Sequence, residues 1–201
     1  GLKGGTAALL FYDLPRFSVD LDFDLLNSEQ EELVFARLKD ILPQFGELKE
    51  ASQKRFTIFF LLNYRKGERN MKVEISKRLS PAKYELKHYL GIPVLVMKQE
   101  DMVASKLSAL LGRSKFAARD LFDLWFFLKD NWQINEQVIK QQTNYSLSQA
   151  LAKAEKIVKG IKKTQLLSGL GDLVDHKQRI WVREKLQDEL LFLIRLYLSN
   201  Q

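Results

Sequence analysis

The clearest alternation of apolar and polar positions runs over Arg16-Phe17-Ser18-Val19-Asp20-Leu21-Asp22-Phe23-Asp24-Leu25. Side chains on a strand change face at every residue. A strand over 16–25 therefore sends Phe17, Val19, Leu21, Phe23 and Leu25 to a core, and Ser18, Asp20, Asp22 and Asp24 to the other face. Upstream, Gly1-Leu2-Lys3-Gly4-Gly5-Thr6 leads into the apolar run from Ala7 to Phe11 and a stop at Leu14-Pro15. This pattern predicts a short helix over 7–13 with Thr6 as its N-cap. Downstream, a helix is predicted over 28–45. Ser28 and Glu31 form its capping box, and Leu33, Val34, Leu38, Ile41 and Leu42 its apolar stripe. Strands over 55–64 and 71–76 flank the turn Lys66-Gly67-Glu68-Arg69-Asn70 as a hairpin. In the second of these, Met71, Val73 and Ile75 oppose Lys72, Glu74 and Ser76. Pro81 and Pro93 bracket a less regular stretch around 84–90, and Pro93 to Met97 reads as a short apolar strand.

Beyond Lys98 the period is helical. Helices are predicted over 99–112, 116–129, 135–142, 146–163 and 180–198. In the first, Val103, Leu107, Leu110 and Leu111 form the core stripe, and Lys106 lies off it beside Met102 and Arg113. In the second, Arg119, Asp120 and Asp123 share a face by helical spacing, while Phe122, Leu124, Trp125 and Phe126 pack. Lys153, Lys156, Lys159 and Lys163 recur at three- and four-residue steps. That is a solvated face first, and an RNA-tracking face second. Ser168-Gly169-Leu170-Gly171-Asp172 follows no strand and reads as a loop. The expected organisation is an α/β (α+β) domain with a small mixed sheet over 1–98 and a helical domain over 99–201.

Composition narrows the function classes. The chain has 201 residues, 46% hydrophobic and 28% charged, which suits one or two globular domains. It contains no apolar run of membrane-spanning length, so no membrane partner is expected. With no cysteine, disulfides and thiolate metal sites are excluded, and a reducing cytoplasm is the expected location. His88 and His176 are too far apart in sequence to suggest a histidine-rich zinc site. No secretory leader is visible, and because the chain opens inside a strand pattern, whether residues precede Gly1 stays open. The net charge of +7 favours a polyanionic partner such as RNA, although the excess is spread over both halves.

The charge pattern of the first strand points to chemistry. Three carboxylates at next-but-one positions repel one another. A hard divalent cation would relieve this, since Mg²⁺ takes oxygens from one or two carboxylates plus substrate phosphates. Gly4 and Gly5 allow an anion to approach the main chain, and the helix that follows offers free N–H groups. The plain alternatives are a solvated strand face and an ordinary turn. Together the two features describe a two-part site for a metal-bound nucleoside triphosphate.

The glycine turn followed by Asp20-Leu21-Asp22 on the next strand resembles the nucleotidyltransferase superfamily that includes DNA polymerase beta. The fuller wording, Leu2-Lys3-Gly4-Gly5-Thr6-Ala7 and Arg16-Phe17-Ser18-Val19-Asp20-Leu21-Asp22-Phe23, is similar to the AbiEii group, the toxins of bacterial toxin–antitoxin and abortive-infection pairs. Lys72-Val73-Glu74-Ile75 looks like that family's third motif. Lys106, Arg113 and Arg119-Asp120-Leu121-Phe122-Asp123-Leu124-Trp125 resemble its fourth. The resemblance implies transfer of a nucleoside monophosphate from an NTP, with Asp20, Asp22 and Glu74 holding Mg²⁺ or Mn²⁺. It implies that Gly4, Gly5 and Thr6 grip phosphates, that Lys106 neutralises them, and that Asp120 contributes to catalysis from the helical domain. Asp123 is left as a structural partner or a second acid. Ser18 orders phosphate or is a regulatory target. The implied acceptor is RNA, such as the 3′ end of tRNA, and the implied protein partner is an antitoxin. Two other classes stay open: a protein that binds nucleotide, RNA or antitoxin without turnover, and a nucleotidyltransferase acting on a small molecule or protein.

Overall fold

The computed structural model describes residues 1–199 and divides into two compact units. The first comprises Gly1–Asp13, Ser18–Leu79 and Tyr84–Met97, and the second Leu14–Phe17, Ser80–Lys83 and the chain from Lys98 onward.

The first unit is a seven-stranded mixed sheet with two helices. In chain order its elements are β1 (Leu2–Lys3), α1 (Gly4–Tyr12), β2 (Leu21–Asp24), α2 (Glu31–Ile41), β3 (Glu47–Lys54), β4 (Thr57–Asn63), β5 (Met71–Ser76), β6 (Tyr84–Tyr89) and β7 (Ile92–Met97). Strand order is β3-β4-β5-β2-β1-β7-β6. β2 runs parallel to β5 and antiparallel to β1, and β1 runs parallel to β7. Alternation builds the core. Ile58, Phe60 and Leu62 of β4 and Val73 and Ile75 of β5 are buried on one face, with Leu21, Phe23 and Leu25 packed beside them. Val34, Phe35 and Leu38 of α2 cover this face, and Phe35 stacks on Phe60 at 5.4 Å.

Several expectations change. Regular pairing in the first strand covers only Leu21–Asp24, and Phe17 is 71% exposed rather than in the core. Arg16 and Phe17 belong to the second unit, where Phe17 N–H donates to the Leu173 carbonyl at 2.8 Å. The first helix starts at Gly4, so Thr6 lies inside it and is not its N-cap. No Ser28–Glu31 capping box forms; Asn27 caps the turn by accepting from Glu29 N–H at 3.0 Å. Leu33 and Ile41 point to solvent, which narrows the α2 stripe. β3 and β6 were not expected. β3 is a polar edge strand with few apolar residues, and β6 closes a hairpin with β7 through Leu90-Gly91, both in left-handed backbone (φ 49° and 81°). Pro93 sits within β7 without breaking the sheet, because β1 is short and pairs with β7 only at Val96.

The second unit is helical: α3 (Gln99–Gly112), α4 (Ala118–Lys129), α5 (Glu136–Thr143), α6 (Leu147–Gly160), α7 (His176–Trp181) and α8 (Gln187–Ser199). α4 is its centre, with both its apolar residues and its two inner aspartates buried. α7 and α8 are joined by a π-turn over Val182–Leu186. The last helical stretch thus begins at His176, capped by a reciprocal Asp175–Gln178 box, rather than at Ile180. Lys153, Lys156, Lys159 and Lys163 are exposed, and Lys159 pairs with Glu155 at 2.9 Å, as on a solvated face. Asp101 is fully buried. It accepts from Lys83 N–H and from Asn135 Nδ2, each at 2.6 Å, and so ties the Ser80–Lys83 segment to α3 and α5. Among the described residues, no helix is long and apolar enough to cross a membrane.

Candidate active site

The carboxylates of the first unit owe their position to the core on the other side of the sheet. Leu21 pairs with Val73 and Phe23 with Ile75 on the α2-covered face, so Asp22 and Glu74, themselves in register, share the opposite face. All three of Asp20, Asp22 and Glu74 are half-buried. Asp20 precedes the paired stretch, and its Oδ1 accepts from Lys72 N–H at 3.4 Å. The Glu74 side chain makes no hydrogen bond or ion pair among the described residues. The third aspartate of the strand is handled differently: Asp24 is buried, with Lys3 Nζ at 2.5 Å from Oδ1 and Tyr84 OH donating to Oδ2 at 2.6 Å. Lys3 and Tyr84 thereby remove one of the three mutually repelling charges from the face. This pair was not foreseen, and the signal available was the lysine one residue before Gly4.

Gly4 shows why the turn is glycine. Its φ is +76°, a backbone shape that costs other residues about 1–2 kcal/mol. A Cβ there would lie 2.7 Å from Asp22 Oδ2. The aspartate is thus brought against the start of α1, where the first N–H groups of a helix have no intrahelical acceptor and the Lys3 side chain at the N-cap makes no capping hydrogen bond. Gly5 and Thr6 are buried in the first turn. Thr6 Oγ1 donates to the Asp20 carbonyl at 2.5 Å and lies 2.9 Å from Ser18 Oγ. A carbonyl can only accept, so the threonine proton goes to Asp20 and the Ser18 hydroxyl donates to Thr6. Both hydroxyls therefore fix the main chain entering β2.

A divalent ion was the expected occupant. Among the described residues no three Asp, Glu, His or Cys side chains are gathered closely enough to cage a metal by themselves. The donor set still fits Mg²⁺, which takes one or two carboxylates and completes its shell with phosphate oxygens and water. Asp22 and Glu74 supply such a pair in register, and Asp20 lies two residues before Asp22, ahead of the paired stretch.

In the second unit, Lys106 of α3 and Asp120 and Asp123 of α4 meet. Lys106 Nζ lies 3.0 Å from Asp120 Oδ1 and 2.8 Å from Asp123 Oδ2. Arg16 forks onto Asp123, with Nε at 2.5 Å from Oδ1 and Nη2 at 2.7 Å from Oδ2, while its Nη1 donates to the Phe17 carbonyl. Arg113 Nε stands 3.1 Å from Asp120 Oδ2 but without hydrogen-bond alignment, so that buried oxygen has no hydrogen-bond donor. Burial alone would raise the Asp123 carboxyl, but Lys106 and then Arg16 outweigh it and hold the group below the usual carboxylate range. Burial likewise opposes the charged form of Lys106, and Asp123 and Asp120 overcome it, so the ammonium is held above its ordinary value. Both oxygens of Asp123 thus accept hydrogen bonds, whereas Asp120 Oδ2 meets Arg113 only as an ion pair. Arg119, on the same helix, is half-buried. Sequence reasoning missed Arg16, although two aspartates spaced three apart in an otherwise apolar helix call for buried cations.

A family model, the nucleotidyl transferase AbiEii toxin of type IV toxin–antitoxin systems, matches residues 2–187. Two crystal structures from Helicobacter pylori share the fold. That of JHP933 is 25% identical with a TM-score of 0.63, covering 99% of this chain and 83% of that one. The other, described as a nucleotidyltransferase, is 27% identical with a TM-score of 0.63, covering 99% and 86%. No curated protein matches the chain. The family match runs from the glycine turn through the carboxylate strands to the helices that carry Lys106, Asp120 and Asp123, so this chain is a nucleotidyltransferase belonging to the AbiEii toxin family.

Proposed function

We propose that the chain transfers a nucleoside monophosphate from an NTP to an RNA acceptor, with the 3′ end of tRNA as the first candidate, and that it does so with Mg²⁺. The observation that carries this reading is the approach of Asp22 to Gly4, which only a glycine permits and which joins a carboxylate to a helix N-terminus. Asp20, Asp22 and Glu74 would hold the ion, which when bound would supply positive charge to the triphosphate and lower the pKa of an attacking hydroxyl. The N–H groups of Gly4, Gly5 and Thr6 donate to phosphate oxygens. The Thr6 and Ser18 hydroxyls keep Asp20 in place. Lys106 contributes positive charge to the same reaction and Asp120 a carboxylate oxygen. The net charge of +7 supports RNA as the acceptor class. A cognate antitoxin is the expected protein partner, and the cytoplasm the expected setting.

The test is incubation of purified protein with each labelled NTP, Mg²⁺ and total cellular RNA, followed by protein and RNA gels. Label in the RNA, absent with Asp20→Asn, supports the proposal. Label on protein, or in neither gel while pyrophosphate is released, moves the acceptor to a protein or a small molecule.

A further inference from the structure

We propose that Arg16 is a positioning residue for nucleotidyl transfer, acting through its two-point grip on Asp123 to keep Lys106 aimed and Asp120 partly free. The inference rests on the proposed roles of Lys106 and Asp120. Its basis is the arrangement of five charged groups in the second unit: Arg16, Lys106 and Arg113 against Asp120 and Asp123. Arg16 is buried, and Asp123 is completely so. An arginine fork onto a carboxylate at 2.5 and 2.7 Å takes up both oxygens in a fixed plane. Lys106 then meets an Asp123 whose charge is already balanced.

The counts make the consequence specific. Three cations face two anions, leaving one unit of positive charge in excess. Lys106 is the cation shared by both acids, and at 14% exposure it is held more tightly than Arg113, which is 42% exposed and meets Asp120 alone. Without Arg16, Asp123 would depend on Lys106 alone and draw the ammonium toward itself. Asp120 Oδ1 would then lose the donor 3.0 Å away. With Arg16 in place, Asp120 holds Lys106 by one oxygen and keeps Oδ2 without a hydrogen-bond donor. A buried acceptor in that state, faced only by the Arg113 cation at 3.1 Å, is the exception in folded proteins. Arg16 itself touches neither oxygen of Asp120, so its effect passes through Asp123 and Lys106.

A purely structural clamp makes a different prediction, which a double-variant cycle separates. Pyrophosphate release is measured from an equimolar NTP mixture with Mg²⁺ and total RNA for wild type, Arg16→Gln, Arg16→Lys, Lys106→Ala and the Arg16→Gln/Lys106→Ala pair, each normalised to its folded fraction. A displaced positioning group costs about 10²-fold in kcat/KM, and we expect this of Arg16→Gln. Arg16→Lys, which keeps the charge but not the fork, should fall between it and wild type. In the Lys106→Ala background, Arg16→Gln should cost less than about twofold, because the residue it acts through is gone. An equal loss in both backgrounds, or wild-type activity of folded Arg16→Gln, overturns the inference. If Arg16→Gln does not fold, Arg16→Lys in the two backgrounds carries the same comparison. Asp20→Asn separates the outcomes: if it retains wild-type turnover, the carboxylate reading of the active site has failed. If it is inactive while the Arg16 effects are additive, only the present inference has failed.

Discussion

Asp20, Asp22 and Glu74 are half-buried on the sheet face away from α2, and Asp120 and Asp123 are buried among Lys106, Arg16 and Arg113. The two groups obey the same rule with opposite outcomes. A carboxylate removed from water must be paired or it will not stay ionised. In the second unit the chain supplies the cations itself. In the first, Lys3 and Tyr84 engage Asp24, and Asp22 and Glu74 stand side by side in register on neighbouring strands. Two acids aligned on neighbouring strands thus stand against two acids locked among cations.

The sharpest way to break the comparison is to remove one charge from each group. Asp20→Asn and Asp22→Asn should each lower transfer by at least about a hundredfold, the scale of losing a preorganised charge contact to a transition state. Melting temperatures should not fall, because Asn keeps the shape and relieves repulsion. Asp123→Asn should differ by lowering stability. It leaves Arg16 buried without its carboxylate, a change that costs about 3–5 kcal/mol in comparable buried pairs, read from denaturant midpoints. Loss of fold in Asp22→Asn, or unchanged stability in Asp123→Asn, would erase the distinction.

The buried group also sets a pH dependence. The folded Asp123 pKa lies below its ordinary value of 3.8, so its contribution is present above that value and is lost as pH falls through the folded pKa. The folded Lys106 pKa lies above 10.5, so its contribution is complete below that value and is lost as pH rises through the folded pKa. Stability measured from pH 6 down to about pH 2 should therefore decline in wild type with a component that Asp123→Asn lacks. Equal slopes in the two proteins would show that the pair does not set this dependence.

A smaller effect is expected at Gly4. Alanine there meets both a left-handed backbone and Asp22 Oδ2 at 2.7 Å. The backbone alone costs about 1–2 kcal/mol, and the aspartate must also move. Transfer should fall more steeply than stability, since the displaced group is a proposed metal ligand. Gly67→Ala is the control: it shares a positive φ of 85°, but open space surrounds the position. It should show the stability loss without the loss of transfer.

What could be seen in the sequence follows from which forces are local. The alternation of β2 and β5 and the apolar stripe of α3 were legible because burial on one face repeats at a fixed spacing. β3 was not, since an edge strand with solvated sides needs no apolar alternation, and its pairing with β4 is set across the turn. The parallel register that sets Asp22 beside Glu74 lies 52 residues apart in sequence and has no local trace. Phe17 followed the strand pattern yet lies outside it, because the second unit takes Leu14–Phe17. The candidate site was legible as residue types in order. The division between Asp120 and Asp123 was not, because it depends on where Arg16 reaches.

The mildest test concerns Asp24, the carboxylate that matches Asp20 and Asp22 in sequence but not in surroundings. Tyr84→Phe removes the hydroxyl that donates to its Oδ2 at 2.6 Å, while Lys3 stays on Oδ1. Loss of one such hydrogen bond should cost about 1 kcal/mol, since the buried oxygen keeps a charged neighbour on the same carboxyl. Transfer should stay within about twofold, because the charge on Asp24 is already balanced by Lys3 and adds little to any ion held by the other carboxylates. A loss of transfer comparable to that of Asp22→Asn, with stability little changed, would place Asp24 in the metal site. The strand would then carry three working carboxylates, and Lys3 would be a competitor that substrate has to displace.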